Sequence, residues 1–289
     1  MNINTKQAIL LQINKLKTLP ALPEPSLRIV SAINDPLIST DKLASVLALS
    51  PGLVVRLLGL ANSAYFGQSR NVTDLSVAVY QILGLDLVKS LTLGIILNVQ
   101  FNAKQCPAFN TRYFWMRSLL TAVAAQKIAS ANKMNRYALS TVYTSGLLLF
   151  VGMLVLAYLL PEEMDSIISH SKRQSIPVTA EIETRLGDSH YIMGYHLLAK
   201  WQLPLVLQTV VKFYNDPDFH GEERELINLL KLSQRLSAML LNKNAVDLDE
   251  LHAIGEDLAI STAGLAAIVD FLSENRENIQ TLADIIGKG

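Results

Sequence analysis

The sequence predicts an all-α protein. Apolar residues recur three or four positions apart in most long segments, whereas no segment shows the sustained alternation of a half-buried strand. Helix-starting residues precede several of these segments: Ser39 or Thr40 before one, and the pair Ser50-Pro51 before the next. Half of the 289 residues are hydrophobic and only 17% are charged, which is typical of a chain with a large apolar core and not of a disordered one.

The first half of the chain is predicted to contain six helices. Leu10, Ile13 and Leu16 share one face of an amphipathic segment, which predicts an N-terminal helix over residues 1–18. Five more helices are predicted over residues 25–33, from 40 to about 47, from 51 to about 61, and over 76–83 and 86–99. Pro107 and Asn110 then mark a break.

The second half is predicted to be helical as well. The predicted helices cover residues 111–130, 138–160, 162–169, 179–186, 189–201, 205–214, 222–241, 249–254 and 262–286. No linker is rich enough in Gly, Ser or Pro to separate independent domains. We therefore expect two helical lobes that share one core, residues 19–105 and 106–217, and a C-terminal helical extension over 218–289 that packs on them.

Charge and cysteine content exclude several classes of protein. Twenty-five basic residues balance 25 acidic ones, and a protein without a basic excess is a poor general binder of polyanions. No nucleic-acid partner is therefore expected. The single cysteine, Cys106, excludes an internal disulfide framework and fits a reducing compartment. The first residues lack the pattern of a signal peptide, so we expect a cytoplasmic protein.

One segment favours a membrane as much as a soluble core. Residues 138–160 contain no charged side chain, and 23 residues are enough to span a bilayer. A helix buried on all sides inside a helical domain has the same composition. Taken alone, this segment supports the two interpretations equally.

Three runs of residues resemble the HDOD domain family, bacterial relatives of the HD-type metal-dependent phosphohydrolases. They are residues 19–23 together with 34–36, residues 57–67, and residues 78–86. The second run is the most specific, and the resemblance extends over residues 19–217. The residues that carry it include Asn62, Ser63, Tyr65, Phe66, Gly67, Gly84, Trp115, Trp201 and Pro204.

The resemblance implies where the ancestral metal site would lie, and the ligands are replaced there. HD-type hydrolases bind metal through an early His, a central His-Asp pair and later His or Asp residues. This chain has Arg117 at the first position, Leu149-Phe150 at the central pair and Tyr214-Asn215 at a later pair. Only His190 keeps a family histidine, and one imidazole does not hold a metal ion. The resemblance therefore implies no metal, no cofactor and no hydrolase activity.

Arg117 would place a fixed cation where a metal ion once lay, and a buried guanidinium needs a partner. By family placement, the candidate neighbours are Asp188, His190, Tyr214 and Asn215. Two hypotheses remain open: an internal polar cluster that ties the second lobe together, and a site for a small anion bound through Arg117.

The resemblance also favours a buried position for residues 138–160, because the corresponding family helix is central. It implies a non-catalytic signalling or regulatory module that binds an unidentified signalling protein or a small ligand, and it leaves an oligomer open. Two alternatives remain: a metal-dependent phosphohydrolase with rearranged ligands, and a membrane-associated protein.

Overall fold

The computed structural model describes residues 22–67, 71–134, 136–242, 245–258 and 260–288. All regular structure within these ranges is helical, which confirms the predicted all-α class. The helix predicted over residues 1–18 lies outside the described residues, as do residues 19–21 of the first family-like run.

Five helices form the first part of the fold. They are α1 Glu24–Asn34, α2 Thr40–Leu47, α3 Pro51–Ala61, α4 Leu75–Val77, which continues as a π-helical turn Ala78–Leu83, and α5 Leu85–Gln100. Ser39 caps α2 by accepting a hydrogen bond from the backbone N–H of Lys42 at 3.3 Å. As predicted, Ser50 is the N-cap residue of α3 and Pro51, whose fixed φ suits a first helical turn, begins the helix, although the Ser50 side chain makes no capping bond.

Seven helices follow the break at residues 101–110. They are α6 Thr111–Ala131, α7 Leu139–Leu148, α8 Val151–Leu159, α9 Pro161–Gln174, α10 Val178–Leu186, α11 His190–Lys200 and α12 Leu205–Phe213. The single helix predicted over 138–160 is in fact interrupted at Leu149 and Phe150, where Phe150 leaves the helical conformation with φ −101° and ψ 8°. The helix predicted over 162–169 runs on to Gln174, and the left-handed Ser175 ends it.

Four helices follow residue 217: α13 Arg224–Leu241, α14 Leu248–Ile254, α15 Thr262–Glu274 and α16 Arg276–Gly287. The single helix predicted over 262–286 is wrong, because it divides at Asn275. The Asn275 side chain donates to the carbonyl of Phe271 at 2.9 Å, and its own carbonyl accepts from Ile279 as α16 begins. Competition of this kind between side chain and backbone is typical of Asn.

Helix α6 is the centre of the molecule. Thirteen of its residues are buried, and α7, α13, α15 and α16 all pack against it. Close approach to α7 depends on Gly146, because a Cβ there would lie 2.7 Å from the Ala122 Cα. The C-terminal helices are tied to earlier ones by polar contacts too: Arg112 pairs with Asp284 at 2.9 Å, and Arg56 donates to the Ile286 carbonyl at 3.3 Å.

Residues Leu139–Leu159, which comprise α7, the break and α8, are long and apolar enough to cross a membrane by length and composition. In this fold, 83% of the most apolar window of that stretch is buried inside the protein. Core helices of soluble proteins have the same property, so the stretch is weak support for a membrane span.

Candidate functional site

Asn62 organises the most specific family-like run. Its side-chain amide donates to the carbonyl of Leu58, at the end of α3, and to the carbonyl of Val72, at 2.9 and 2.8 Å. Its side-chain oxygen accepts from the Val72 N–H at 2.7 Å. One Asn thus satisfies a helix end and fixes the segment that returns to the core.

The residues after Asn62 form a compact aromatic turn. Ser63 is buried and donates to the Leu60 carbonyl at 2.7 Å. Tyr65 and Phe66 pack edge to face with ring centroids 5.0 Å apart. Gly67 closes the turn with φ 61°, which is a left-handed conformation that favours glycine. Gly84, immediately before α5, also has a positive φ, 76°.

The remaining family-like residues are structural. Trp115 is buried and donates to the side-chain oxygen of Asn98 at 2.8 Å. Trp201 is buried against the ring of Phe101, with centroids 5.9 Å apart. Pro204 precedes α12 and fixes the turn into that helix.

The positions that the family resemblance assigns to the ancestral metal site form a stack of side chains. The guanidinium carbon of Arg117 lies 3.7 Å from the centroid of the Phe150 ring, in a cation–π contact. The Phe150 ring is stacked against His190 at 6.3 Å with an interplanar angle of 18°. His190 in turn contacts Tyr191 at 3.9 Å, and Tyr191 contacts Tyr214 at 4.8 Å. We call these five residues the Arg117 stack.

The interior of the Arg117 stack is buried. Phe150 and His190 are fully buried, Tyr191 and Tyr214 are 4% and 5% exposed, and Arg117 is half-buried. Neither ring nitrogen of His190 has a hydrogen-bond partner among the residues that the structure describes. Burial, assisted by the charge of Arg117, lowers the pKa of His190 to about 3, so this imidazole is neutral near pH 7.

The stack contains some of the residues predicted from the sequence and not others. Leu149 is fully buried beside Phe150. Asp188 is exposed, and its carboxylate accepts from the N–H of Ser189 at 2.8 Å. Asn215 is exposed as well. Within the part of the chain that the structure describes, Arg117 makes no ion pair, so the placement of Asp188 and Asn215 as its partners is wrong.

Three residues of this region were not anticipated from the sequence. Tyr191 lies between His190 and Tyr214 and contacts both rings. The sequence feature that could have predicted this role is the pair of adjacent aromatic residues, 190 and 191, at the start of a helix. Gly152 and Gly194 bring the backbones of α8 and α11 together, because a Cβ on Gly152 would lie 2.8 Å from the Gly194 nitrogen. A single sequence does not distinguish such glycines from those in turns.

The HDOD domain model matches residues 19–217, which is more than half of the chain. The chain belongs to the HDOD family. Its match ends before α13, so the last four helices, which pack on the domain, lie beyond the matched residues.

Three solved structures share the fold of this HDOD protein. A protein assigned to signal transduction from Marinobacter aquaeolei VT8 is 22% identical, with a TM-score of 0.79 over 95% of this chain and 61% of that one. An HDOD domain protein of unknown function from Geobacter sulfurreducens is 22% identical, with a TM-score of 0.76 over 97% and 98% of the two chains. A protein assigned as a phosphohydrolase from Shewanella amazonensis SB2B is 20% identical, with a TM-score of 0.75 over 95% and 97%.

A relative in sequence comes from Treponema pallidum (strain Nichols) and is an uncharacterized protein. It is 26% identical over 214 residues, which is 73% of this chain. The HDOD protein spans 40% of the length of that relative and 61% of the length of the Marinobacter chain.

The residues of the Arg117 stack do not fit a divalent metal ion. They offer one imidazole, two phenols that burial keeps protonated by raising their pKa, and a guanidinium, which is itself a cation. Among the described residues, no group of three or more His, Cys, Asp and Glu side chains is arranged to hold a metal. The Arg117 stack of this HDOD protein therefore consists of aromatic rings, neutral polar groups and one cation, with no carboxylate or thiolate.

The buried His190 predicts a pH dependence of stability. Its pKa in the folded protein, about 3, lies below the ordinary value of 6.5. Between these values the unfolded chain binds a proton that the folded protein excludes, so stability falls as the pH falls below about 6.5. From this residue alone, we expect the free energy of unfolding, measured by urea titration, to fall by roughly 2–3 kcal/mol between pH 6.5 and pH 4.5.

A His190→Phe variant should lose that part of the pH dependence while it keeps the stacking. The matched control is His252→Phe, at an exposed histidine, which should keep the slope of the unsubstituted protein. If the free energy of unfolding varied with pH in the same way in the His190→Phe variant and the unsubstituted protein, His190 would be protonated normally in the folded state.

Proposed function

We propose that this protein is a non-catalytic regulatory module of bacterial signal transduction that acts by binding and not by hydrolysis. Membership of the HDOD family and the fold shared with a protein assigned to signal transduction support the signalling role. The observation that carries the non-catalytic part is the Arg117 stack. Its guanidinium lies 3.7 Å from the Phe150 ring, at the positions where the HD-type hydrolases hold their metal.

The chemistry of the stack supports this proposal in two ways. Hydrolysis of a phosphoester in the HD manner needs a metal-bound water, and a metal needs several converging deprotonated ligands. Phe150 and Leu149 supply none, and the half-buried cation of Arg117 repels a second cation. The domain would then act by binding other molecules at its surfaces and cavities. This proposal also places the protein in the cytoplasm, without a membrane span.

The metal content of the purified protein tests this function. After expression with added Mn, Fe and Zn, we expect far less than one transition metal per chain by elemental analysis. We also expect no hydrolysis of bis(p-nitrophenyl) phosphate above the buffer rate. A catalytic HD-type hydrolase prepared in the same way serves as the positive control.

The competing function is a metal-dependent phosphohydrolase with rearranged ligands. This alternative is supported by the fold that the chain shares with a protein assigned as a phosphohydrolase. About one metal per chain, lost in a His190→Ala variant, would establish the hydrolase and overturn the non-catalytic proposal.

A second candidate function is the binding of a small anion by Arg117. The observation that favours it is that this half-buried guanidinium has no carboxylate partner among the described residues. Within the described ranges, the guanidinium contacts the Phe150 ring with one face, and its in-plane N–H groups donate to no described residue.

Thermal unfolding in inorganic phosphate tests the anion site. The midpoint should rise with phosphate concentration, and Arg117→Met should abolish the rise, because binding to the folded state alone stabilises it. Arg173→Met, at an exposed arginine of α9, is the matched control and should respond like the unsubstituted protein. Equal responses of all three proteins would exclude the anion site and leave Arg117 with a packing role against the Phe150 ring.

A further inference from the structure

A cavity of about 540 Å³ lies where the two halves of the domain meet the C-terminal helix. Its wall is formed by the aromatic turn Tyr65–Phe66, the start of α5, one face of α6 and α7, and Leu282 of α16. We call it the junction pocket. Its volume falls within the range of about 300–1,000 Å³ that is usual for small-molecule sites.

Three hydrogen-bonding groups of the junction pocket are unused. Tyr143 is 4% exposed, yet its hydroxyl makes no hydrogen bond to any residue that the structure describes. The Tyr65 hydroxyl and the side-chain amide of Gln126, both half-buried, likewise have no partner in that part of the chain. The Tyr143 hydroxyl reaches solvent within the pocket, so a bound molecule can hydrogen-bond to it in place of water.

The two phenols lie close together in this wall. Burial raises the pKa of Tyr143, and the nearby Tyr65 raises it further, so both rings are neutral donors near pH 7. Most of the remaining wall is formed by leucines and the Phe66 ring. A few polar groups that converge in an apolar wall are the usual composition of a ligand site.

The charge of the wall selects the ligand. Asp86 is the one charged side chain among the described residues that line the junction pocket, and it makes no ion pair with a described residue. No described lining residue is a Lys, Arg or His. Asp86 is exposed in the first turn of α5, and its carboxylate would repel an anionic molecule and attract a cation at the pocket mouth.

From these observations we infer that the junction pocket is a binding site for a small planar organic molecule that is uncharged or cationic. The rings of Tyr65 and Phe66 offer it stacking surfaces, and the Tyr143 hydroxyl and the Gln126 amide offer it hydrogen bonds. Such a ligand would contact both halves of the HDOD domain and α16 at once. It would therefore favour one arrangement of these parts.

Three dyes of different charge test the site: Nile red, which is uncharged, proflavine, which is cationic, and 8-anilinonaphthalene-1-sulfonate, which is anionic. We expect saturable binding of the first two by fluorescence titration and much weaker binding of the third. Ser140→Trp, which fills the pocket from α7, should weaken Nile red and proflavine at least about tenfold. Ser45→Trp, at an exposed serine of α2, is the control and should bind as the unsubstituted protein does.

Two further variants assign the polar groups. Tyr143→Phe removes one hydroxyl and should weaken proflavine about three- to tenfold, while Tyr80→Phe, at an exposed tyrosine, should have no effect. Asp86→Asn should weaken proflavine but not Nile red. If Ser140→Trp loses its helical circular dichroism, the Tyr143→Phe and Asp86→Asn comparisons decide alone.

Binding that is unchanged in the pocket variants, or equally strong for the anionic dye, would overturn this inference. The result does not depend on the proposed function, because the junction pocket is separate from the Arg117 stack. A protein that proved to hold a metal near His190 would leave the dye comparison intact.

Discussion

A Leu149→Asp variant is expected to be unfolded at 25 °C, in contrast to the unsubstituted protein. Leu149 is fully buried at the junction of α7 and α8. A carboxylate placed there costs several kcal/mol, which is comparable to the whole stability of about 5–15 kcal/mol for a typical domain. Far-UV circular dichroism and a urea titration measure the loss.

The same chemical change at an exposed leucine is the control. Leu205 is 73% exposed at the first residue of α12, so Leu205→Asp should alter stability by less than about 0.5 kcal/mol. A folded Leu149→Asp protein with a midpoint near that of Leu205→Asp would show that residue 149 is not in the core. Recovery of the unsubstituted protein from the alkali-washed membrane fraction would instead support the membrane-associated alternative.

A Gly152→Ala variant should have a free energy of unfolding lower by about 3 kcal/mol or more, although the substitution adds a single methyl group. The added Cβ would overlap the backbone oxygen of His190 and lie 2.8 Å from the nitrogen of Gly194. Both neighbours are backbone atoms of α11, which cannot rotate away as a side chain can. Relief therefore requires α8 and α11 to separate, and that would disturb the Arg117 stack as well.

Gly52→Ala provides the matched control for this variant. Gly52 lies in the first turn of α3, and nothing stands within 4 Å of its Cβ position. Alanine there should be neutral or stabilising by about 0.4–1 kcal/mol, because it restricts the unfolded chain. Urea midpoints measure both variants. A Gly152→Ala protein within about 1 kcal/mol of the unsubstituted one would show that the two helices separate easily.

Local signals in the chain were enough to predict most helices. Helix α2 begins after Ser39 and α6 begins after Asn110. The side chains of these two residues accept hydrogen bonds from backbone N–H groups in the first turn of their helices. The two missed breaks have different causes. The break at Phe150 lies within a long apolar segment, where hydrophobic periodicity continues. The break at Asn275 lies within the polar run 273–278, which has no Gly or Pro to mark it.

The candidate site was predicted in part. Arg117, Phe150, His190 and Tyr214 come together as the family resemblance implied. The contact between Arg117 and the Phe150 ring replaces the expected partners, because Asp188 and Asn215 lie on the surface. The junction pocket was not foreseen at all, since its wall combines residues from positions 65 to 282 of the chain.

The sequence by itself determined the all-α class, through residue types and short spacings that act within one helix. It indicated the family through the resemblance of a few short motifs to the HDOD family. Only the tertiary structure decided which side chain Arg117 contacts, how closely α8 approaches α11, and which hydroxyls lack a partner. Those properties depend on the distances between helices that are far apart in the chain, and packing of the whole core sets those distances.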